Sequence, residues 1–378
     1  MSPPRRRRTL TRSKQNTVPP IKHFKIAVIA GDGIGREVVP EGIRVLDEVG
    51  DHFGIQFDWV AFDWSCEFRQ RFGRMMPEDG LPRLRSFDAI YLGAVGYPGV
   101  PDHVSLWGLL IPIRRGFQQY VNLRPARLLP GVTSPLSGKR PGEIDIMIVR
   151  ENTEGEYSEI GGRVNAGTDE EFVVQQSTFT RRGCDRVMRY AFELARRRRR
   201  HVTSATKSNG IIHSMPFWDE RFAAMKANYA DVQADQYHID ILSTHFVRNP
   251  ERFDVVVASN LFGDILSDLA AGVVGSIGIA PSANINPSRE FPSMFEPVHG
   301  SAPDIAGRGI ANPIAQIWSG AMMLDHLGFG AAASAVERAI ETVLVNDGPR
   351  TPDLGGRNTT RDVTDGVIAA FRKNTADM

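Results

Sequence analysis

Apolar residues recur along this chain in two rhythms. Short apolar runs bounded by Gly, Pro, Asn or Asp read as strands: "FKIAVIA", "IQFDWVAF", "DAIYLGAV", "IDIMIVRE", "HVTSATK", "IDILSTH" and "FDVVVASN". Apolar spacing of three and four residues predicts helices over 35–53, 184–198, 215–229, 261–274, 313–327 and 332–345. Strands that alternate with helices argue for an α/β fold with much parallel sheet. Residues 155–180, "GEYSEIGGRVNAGTDEEFVVQQSTFT", keep β-branched alternation and turn residues without a helical period, and read as a β-hairpin arm.

Length and composition narrow the class. The 378 residues allow a large core and two domains, and 42% hydrophobic with 24% charged residues is the balance of a globular protein. A net charge of +1 gives no overall field for nucleic acid or an anionic membrane, so neither partner is expected. No apolar run is long enough to span a bilayer. Two cysteines, Cys66 and Cys184, make neither a disulfide framework nor a thiolate metal site, which points to a reducing, cytoplasmic setting. The stretch 1–20, "MSPPRRRRTLTRSKQNTVPP", is rich in Arg, Pro and Ser/Thr. It is expected to be a disordered basic tail; a polyanion-binding arm and a transit peptide are the alternatives. The run Arg196–Arg200 reads as the solvated end of a helix, where cations suit the dipole.

The first stretch with chemical character is "KIAVIAGDGIGREV". A dinucleotide fingerprint needs G-x-G-x-x-G after the strand, but counting from Gly31 the third glycine position holds Arg36. A close-packed strand-to-helix turn is the competing reading. "NLFGDILSDLAAG" places Asp264 and Asp268 four apart, on one face of a helix. Such a pair needs a divalent cation or an arginine to neutralise it, unless both acids are solvated on an outer face. Arginine clamps small carboxylates with two parallel hydrogen bonds. Arg114 in "LLIPIRRGF", Arg124 in "VNLRPARL" and Arg150 at the end of "IDIMIV" are the candidates, because strand ends border ligand crevices.

Taken together, "AGDGIGREV", "NLRPARL", "VRENTEGEYSEIGG", "FDVVVASNLFGDILSDLAAG" and "EPVHGSAPDIAGRGIANP" resemble the β-decarboxylating dehydrogenases, the family of isocitrate, 3-isopropylmalate and tartrate/D-malate dehydrogenases. "FDWSCEFRQRFGRMMPEDG" and "DHVSLWGLL" are most similar to the tartrate/D-malate branch. The resemblance implies the isopropylmalate/isocitrate dehydrogenase-like fold, which is not a Rossmann fold. It implies a large nucleotide-binding domain of 21–119 plus 276–378 and a small domain of 120–275. The small domain carries the dimerisation arm at about 155–180, and a cleft separates the two.

It also implies the site. Asp264 and Asp268 would bind Mg²⁺ or Mn²⁺ with Asp240 of the other subunit of a homodimer, and K⁺ is a further candidate cofactor. Arg114, Arg124 and Arg150 would hold the substrate's carboxylates. Lys207, from the other subunit, would be the general base, and Tyr157 the acid that protonates the enol. Glu296, His299, Gly300, Ser301, Ala302, Asp304 and Asn312 would bind the nucleotide. Asp304 at the adenosine ribose would favour NAD by repelling a 2′-phosphate.

On the segment before Arg114, Leu110 and Ile111 match the leucine pair of isopropylmalate enzymes, while Trp107 replaces their glutamate. An indole there suits a smaller substituent, so D-malate or tartrate is expected, with 3-isopropylmalate next. Pro112 lies within this segment, where proline removes a helical hydrogen bond and can displace Arg114. A catalytically silent protein, or one that binds polyanions through its tail, is the reading from a different class.

Overall fold

The structure, a computed structural model, describes residues 21–345 and 348–376; the basic stretch 1–20 lies outside the described residues. The described strands are β1 (Lys22–Gly31), β2 (Ile55–Ala61), β3 (Ala89–Ala94), β4 (Val121–Arg127), β5 (Asp145–Glu151), β6 (Gly161–Val164), β7 (Phe172–Gln175), β8 (His201–Thr206), β9 (Gln233–His238), β10 (Val255–Ala258), β11 (Pro281–Ile285) and β12 (Ser293–Pro297). The α-helices are α1 (Gly35–Phe53), α2 (Cys66–Phe72), α3 (Gly80–Leu84), α4 (Asp102–Ser105), α5 (Ile111–Gly116), α6 (Arg181–Arg196), α7 (Ser214–Lys226), α8 (Ile239–Arg248), α9 (Asn260–Val273), α10 (Ile314–His326), α11 (Gly330–Val345) and α12 (Thr360–Ala376).

Ten strands form one mixed sheet in the order β2-β1-β3-β12-β11-β4-β5-β10-β8-β9. Both wings are parallel, and the pairs β12–β11, β11–β4 and β4–β5 in the middle are antiparallel. Strands from 21–119 and 276–378 are contiguous in the sheet, as are those from 120–275; the two blocks meet at β11–β4. Alternation along β4 turns Asn122 and Arg124 to one face and Leu123 and Pro125 to the other.

The helical rhythm was a good guide. In α1, Val38, Val39, Val45, Leu46 and Val49 are buried at helical spacing. The helix stops at Gly54, whose positive φ of 68° lets its N–H reach the Gly50 carbonyl. One expectation is overturned: "IDILSTH" is not a strand but the body of α8. Its buried residues are Leu242 and Phe246, four apart, and Ser243 and Thr244 donate back to the carbonyls of Ile239 and Asp240. The strand preceding it is β9, whose polar sequence gave little apolar signal.

The arm at 155–180 contains the hairpin β6–β7, which stands apart from the main sheet. Phe172, Val173 and Val174 on it are 53%, 63% and 41% exposed, an apolar surface uncovered within one chain. The run Arg196–Arg200 is not simply solvated. Arg198 reaches buried Asp254 at 2.8 Å and Asp145 at 3.0 Å, tying the end of α6 to β5.

Candidate active site

The site is a cleft on one face of the mid-sheet strands. It is lined by Leu92–Val95 from the end of β3, Leu106, Leu110, Ile111, Arg114 and Arg115 from the helical segment 102–116, and Arg124 from β4. Arg150 comes from the end of β5, Asn152 and Tyr157 follow it, Asn260 and Asp264 come from α9, and Glu296–Gly300 come from β12 and the loop after it.

Helix α9 brings acid to arginine. It has three kinds of surface: Phe262, Leu266 and Ala270 are buried, Leu261 and Ile265 are 36% and 50% exposed, and Asp264 turns to the arginines. Gly263 allows the close approach, since a Cβ there would lie 2.6 Å from Arg150 Cβ. Arg150 donates to Asp264 Oδ1 and, through Nε and Nη2, to Asn260 Oδ1 at 3.0 and 2.7 Å. Arg124 Nη1 donates to Asp264 Oδ1 at 3.1 Å and to Ser267 Oγ at 2.6 Å, and lies 3.5 Å from Asp268 Oδ1. Tyr157 Oη donates to Asp264 Oδ2 at 2.9 Å.

Burial alone would raise the Asp264 carboxyl, but Arg150, Arg124 and the Tyr157 hydrogen bond outweigh it and hold it below the usual carboxylate range. Partial desolvation, with neighbouring Asp264 adding to it against Arg124, raises the Asp268 carboxyl, although much of its side chain faces solvent. Burial, then the Asp264 charge, raises the Tyr157 phenol, so it keeps its proton near neutrality.

Arg114 is buried and donates to Glu296 Oε1 at 2.7 Å, and Glu296 also accepts from Asn284. Nε of Arg114 and Nε of Arg124 have no partner among the described residues. Buried guanidiniums with free donors are what a small carboxylate ligand requires.

The segment before Arg114 departs from the expected helix. Leu106–Leu110 form a π-helical turn, in which the Ile111 N–H reaches back five residues to the Leu106 carbonyl. The widened turn precedes Pro112, whose ring would otherwise crowd the carbonyl four residues back. One extra residue in the turn changes which side chains share a face. Leu106, Leu110 and Ile111 line the cleft with Arg114, but Trp107 is not among the lining residues. Trp107 instead lies under the guanidinium of Arg115, 4.8 Å from ring centroid to Cζ. The resemblance places the indole at the substrate's variable group; here its ring faces Arg115. Pro112 was the signal for the widened turn. Leu106 and Arg115 also line the cleft, and no local sequence pattern marks either.

The glycine turn after β1 packs against the proposed nucleotide loop. Ile34 N donates to the Ser301 carbonyl at 2.9 Å, and a Cβ on Gly33 would lie 2.1 Å from that oxygen. Asp32 is buried and accepts the N–H groups of Cys66 and Gly96. It thereby holds one wall of a groove formed by Gly96–Asp102 and Gly300–Pro303.

His299 has the features of a nucleotide contact. Its Nδ1 lies 2.9 Å from the Gly300 carbonyl, an acceptor only, so Nδ1 carries the proton. Nε2 is left a buried acceptor without a partner among the described residues, and burial lowers the ring's pKa and keeps it neutral. Ala302 has a positive φ of 40°, and Gly300 has open space where a Cβ would stand. A ribose hydroxyl or amide fits this cradle. Asp304 is exposed on the same loop. Asn312 has a structural job, accepting from Ile314 N at 3.0 Å and donating to Asp353 at 3.0 Å.

Oxygen-only Asp264 and Asp268 suit Mg²⁺ or Mn²⁺. Among the described residues, however, no three His, Cys, Asp or Glu side chains gather into a metal-sized cluster. Asp240 sits in the first turn of α8, where its Oδ1 accepts from Lys207 Nζ at 3.0 Å, and neither residue lines the cleft of its own chain.

Such a cleft, with three arginines around an acidic helix and an orphaned imidazole at its rim, has the donors to take a small anionic ligand. Residues 25–367 match the model of the isocitrate/isopropylmalate dehydrogenase family, and the chain belongs to that family. A D-malate dehydrogenase (decarboxylating) of Escherichia coli K12 is 60% identical over 355 residues, 92% of this chain and 98% of its own length. A tartrate dehydrogenase/decarboxylase of Pseudomonas putida is 57% identical over 353 residues, 91% of this chain and 96% of its own. The crystal structure of isocitrate dehydrogenase from Methylococcus capsulatus has the same fold, with a TM-score of 0.84 at 35% identity over 92% of this chain and 99% of that one. The protein is therefore an oxidoreductase of the decarboxylating-dehydrogenase class on the isocitrate dehydrogenase-like α/β fold. No described helix is long and apolar enough to cross a membrane.

Proposed function

We propose that this chain oxidises and decarboxylates a small 2-hydroxy diacid, D-malate (to pyruvate and CO₂) and/or tartrate, with NAD and Mg²⁺ or Mn²⁺, as a homodimer with shared active sites. The carrying observation is the convergence of Arg114, Arg124 and Arg150 on one cleft, two of them with unpartnered buried donors. The names of the relatives at 57–60% identity support the same substrate class.

In this reading the three arginines bind and orient the carboxylates. Asp264 and Asp268 hold the cation, with Asp240 of the partner subunit, while His299 to Ala302 and Asp304 hold the nucleotide. The bound cation would polarise the substrate's hydroxyl and the carbonyl formed from it, and NAD⁺ would accept the hydride. Tyr157 keeps a proton at Oη for the carbon that loses CO₂. Lys207 of the partner subunit takes the hydroxyl proton. The two strand blocks are two domains, 21–119 with 276–378 and 120–275, and the cleft lies between them.

A second reading, 3-isopropylmalate, draws on the apolar wall of Leu106, Leu110 and Ile111, which also suits a branched alkyl group. A substrate panel separates the two. Purified protein with Mn²⁺ and NAD⁺ should show a higher kcat/KM for D-malate than for 3-isopropylmalate; the reverse order overturns the assignment.

A further inference from the structure

Trp107 and Arg115 have no part in the reading above, yet they form one unit against the proton donor. The Arg115 guanidinium stacks on the Trp107 ring at 4.8 Å and donates through Nη2 to the backbone carbonyl of Tyr157. Its Nη1 lies 3.7 Å from Glu159, two residues further on. On the opposite side of Tyr157, Glu156 accepts from Ser259 Oγ at 2.7 Å and from Leu261 N at 3.0 Å, fixing the chain to the start of α9. The tyrosine backbone is thus held from two directions. One anchor leads to the helix that carries Asp264, the other to the helical segment that carries Arg114.

We propose that Trp107 and Arg115 are positioning residues for Tyr157. The π-helical turn places the indole behind Arg115, where it fixes the guanidinium on the Tyr157 carbonyl and so fixes Oη over the reacting carbon. This rests on the function proposed above. In the step concerned, the phenol O–H breaks and a C–H bond forms at the carbon that lost CO₂. The electron pair comes from the enolate C=C as its oxygen becomes the ketone carbonyl, and the phenolate regains a proton from solvent. Trp107 thus acts on proton placement, whereas a discriminator of the substrate's substituent would act on binding.

The test uses the full chain with Mn²⁺ and compares Trp107→Leu, Trp107→Phe and Arg115→Met with wild type. Two partial reactions are followed: exchange of pyruvate methyl protons in D₂O with NADH present, which needs Tyr157, and NADH-dependent reduction of oxaloacetate, which does not. Trp107→Leu should slow exchange and D-malate turnover by about 10- to 100-fold, the scale of a displaced acid. Its KM for D-malate and its reduction rate should stay within about twofold, a split that general loosening would not give. Trp107→Phe, which keeps an aromatic face, should recover most of the exchange, and Arg115→Met should slow exchange as Trp107→Leu does. Equal loss in both partial reactions, or a change confined to KM and substrate preference, overturns the positioning role alone. A wild-type chain inactive on every hydroxy diacid overturns the functional reading and this role with it.

Discussion

Gly33 and Ser301, almost 270 positions apart in sequence, are packed so closely that a single methyl group would not fit between them. A Cβ on Gly33 would stand 2.1 Å from the Ser301 carbonyl oxygen, and the backbone there has a φ of 52°. Replacement by alanine therefore carries two costs, a strained backbone and a steric clash with the Ser301 loop, proposed above to hold the nucleotide. Gly54 separates them, because its φ is 68° but nothing lies within 4 Å of its Cβ position. Gly54→Ala should cost about 1 kcal/mol. Gly33→Ala should lower the melting temperature further and raise KM for NAD several-fold. Equal effects of the two substitutions on KM would mean that the turn does not shape the nucleotide loop.

Asp264 and Asp268 should fail differently when neutralised. Asp264 offsets Arg150, whose side chain is 3% exposed, and Arg124, at 9%. Asp264→Asn leaves two buried cations short of a counter-charge, so it should cost about 2 kcal/mol or more of stability and weaken Mn²⁺ binding. The Asp268 side chain is 58% exposed and its contact to Arg124 is long. Asp268→Asn should weaken Mn²⁺ binding with a melting temperature close to wild type. Calorimetric Mn²⁺ titration beside thermal melts reads both quantities, and unchanged Mn²⁺ affinity in both variants would remove α9 from the metal site.

How far these sites were legible depended on whether the signal was local. Helix α1 could be read to the residue, because its apolar spacing and the following Gly54 are both written in the chain. The acids on α9 share a face by simple spacing. The segment around Trp107 could not be read that way, since a π-helical turn alters the period and only Pro112 hints at it. "IDILSTH" looked alternating because Ile239 and Ile241 flank Asp240, yet burial falls on Leu242 and Phe246. The role of the glycine turn is set by Ser301, which no local pattern near Gly33 contains.

A pair remote from the cleft gives a pH signature. His201 Nε2 lies 3.0 Å from Asp235 Oδ2, between β8 and β9. The hydrogen bond to Asp235 raises the imidazole's pKa against burial. Burial works to raise Asp235, but His201 and Thr203 outweigh it and lower the carboxyl. The raised histidine contributes stability in full below its unfolded pKa of about 6.5 and loses it as pH rises through the folded value. The lowered carboxyl contributes in full above about 4 and loses it as pH falls. The advantage of wild type over His201→Gln in thermal melts should therefore peak between pH 4 and 6.5, roughly, and shrink on either side. A difference that is flat from pH 4 to 9, roughly, would rule out an ion pair.

Nucleotide choice should turn on Asp304, which is exposed on the loop after His299. A carboxylate beside the adenosine ribose repels a 2′-phosphate, and a cation would attract it. Asp304→Arg should shift the ratio of kcat/KM values from NAD toward NADP by about tenfold or more, the equivalent of about 1.4 kcal/mol. Steady-state kinetics with both nucleotides reads the ratio, and an unchanged one would take Asp304 out of the ribose site.

Lys207 and Asp240 bond to each other and stay out of their own chain's cleft, while the apolar arm around Phe172 and the exposed side of α9 lie bare. If the partner subunit supplies both residues, each active site mixes two chains. Lys207→Met and Asp264→Asn should then be inactive alone but complement each other. In a heterodimer, the Asp264→Asn chain lends its Lys207 to the other chain's intact Asp264, restoring one site of two. The second site carries both defects. Random pairing makes half the dimers mixed, so co-refolded equal amounts should recover about one quarter of wild-type activity, as two-fold symmetry requires. Charged substitutions at Phe172 and Val173 on the arm should lower both the sedimentation coefficient and the activity. Two inactive variants that stay inactive after mixing, while sedimenting as dimers, would place Lys207 and Asp264 in the same chain's site.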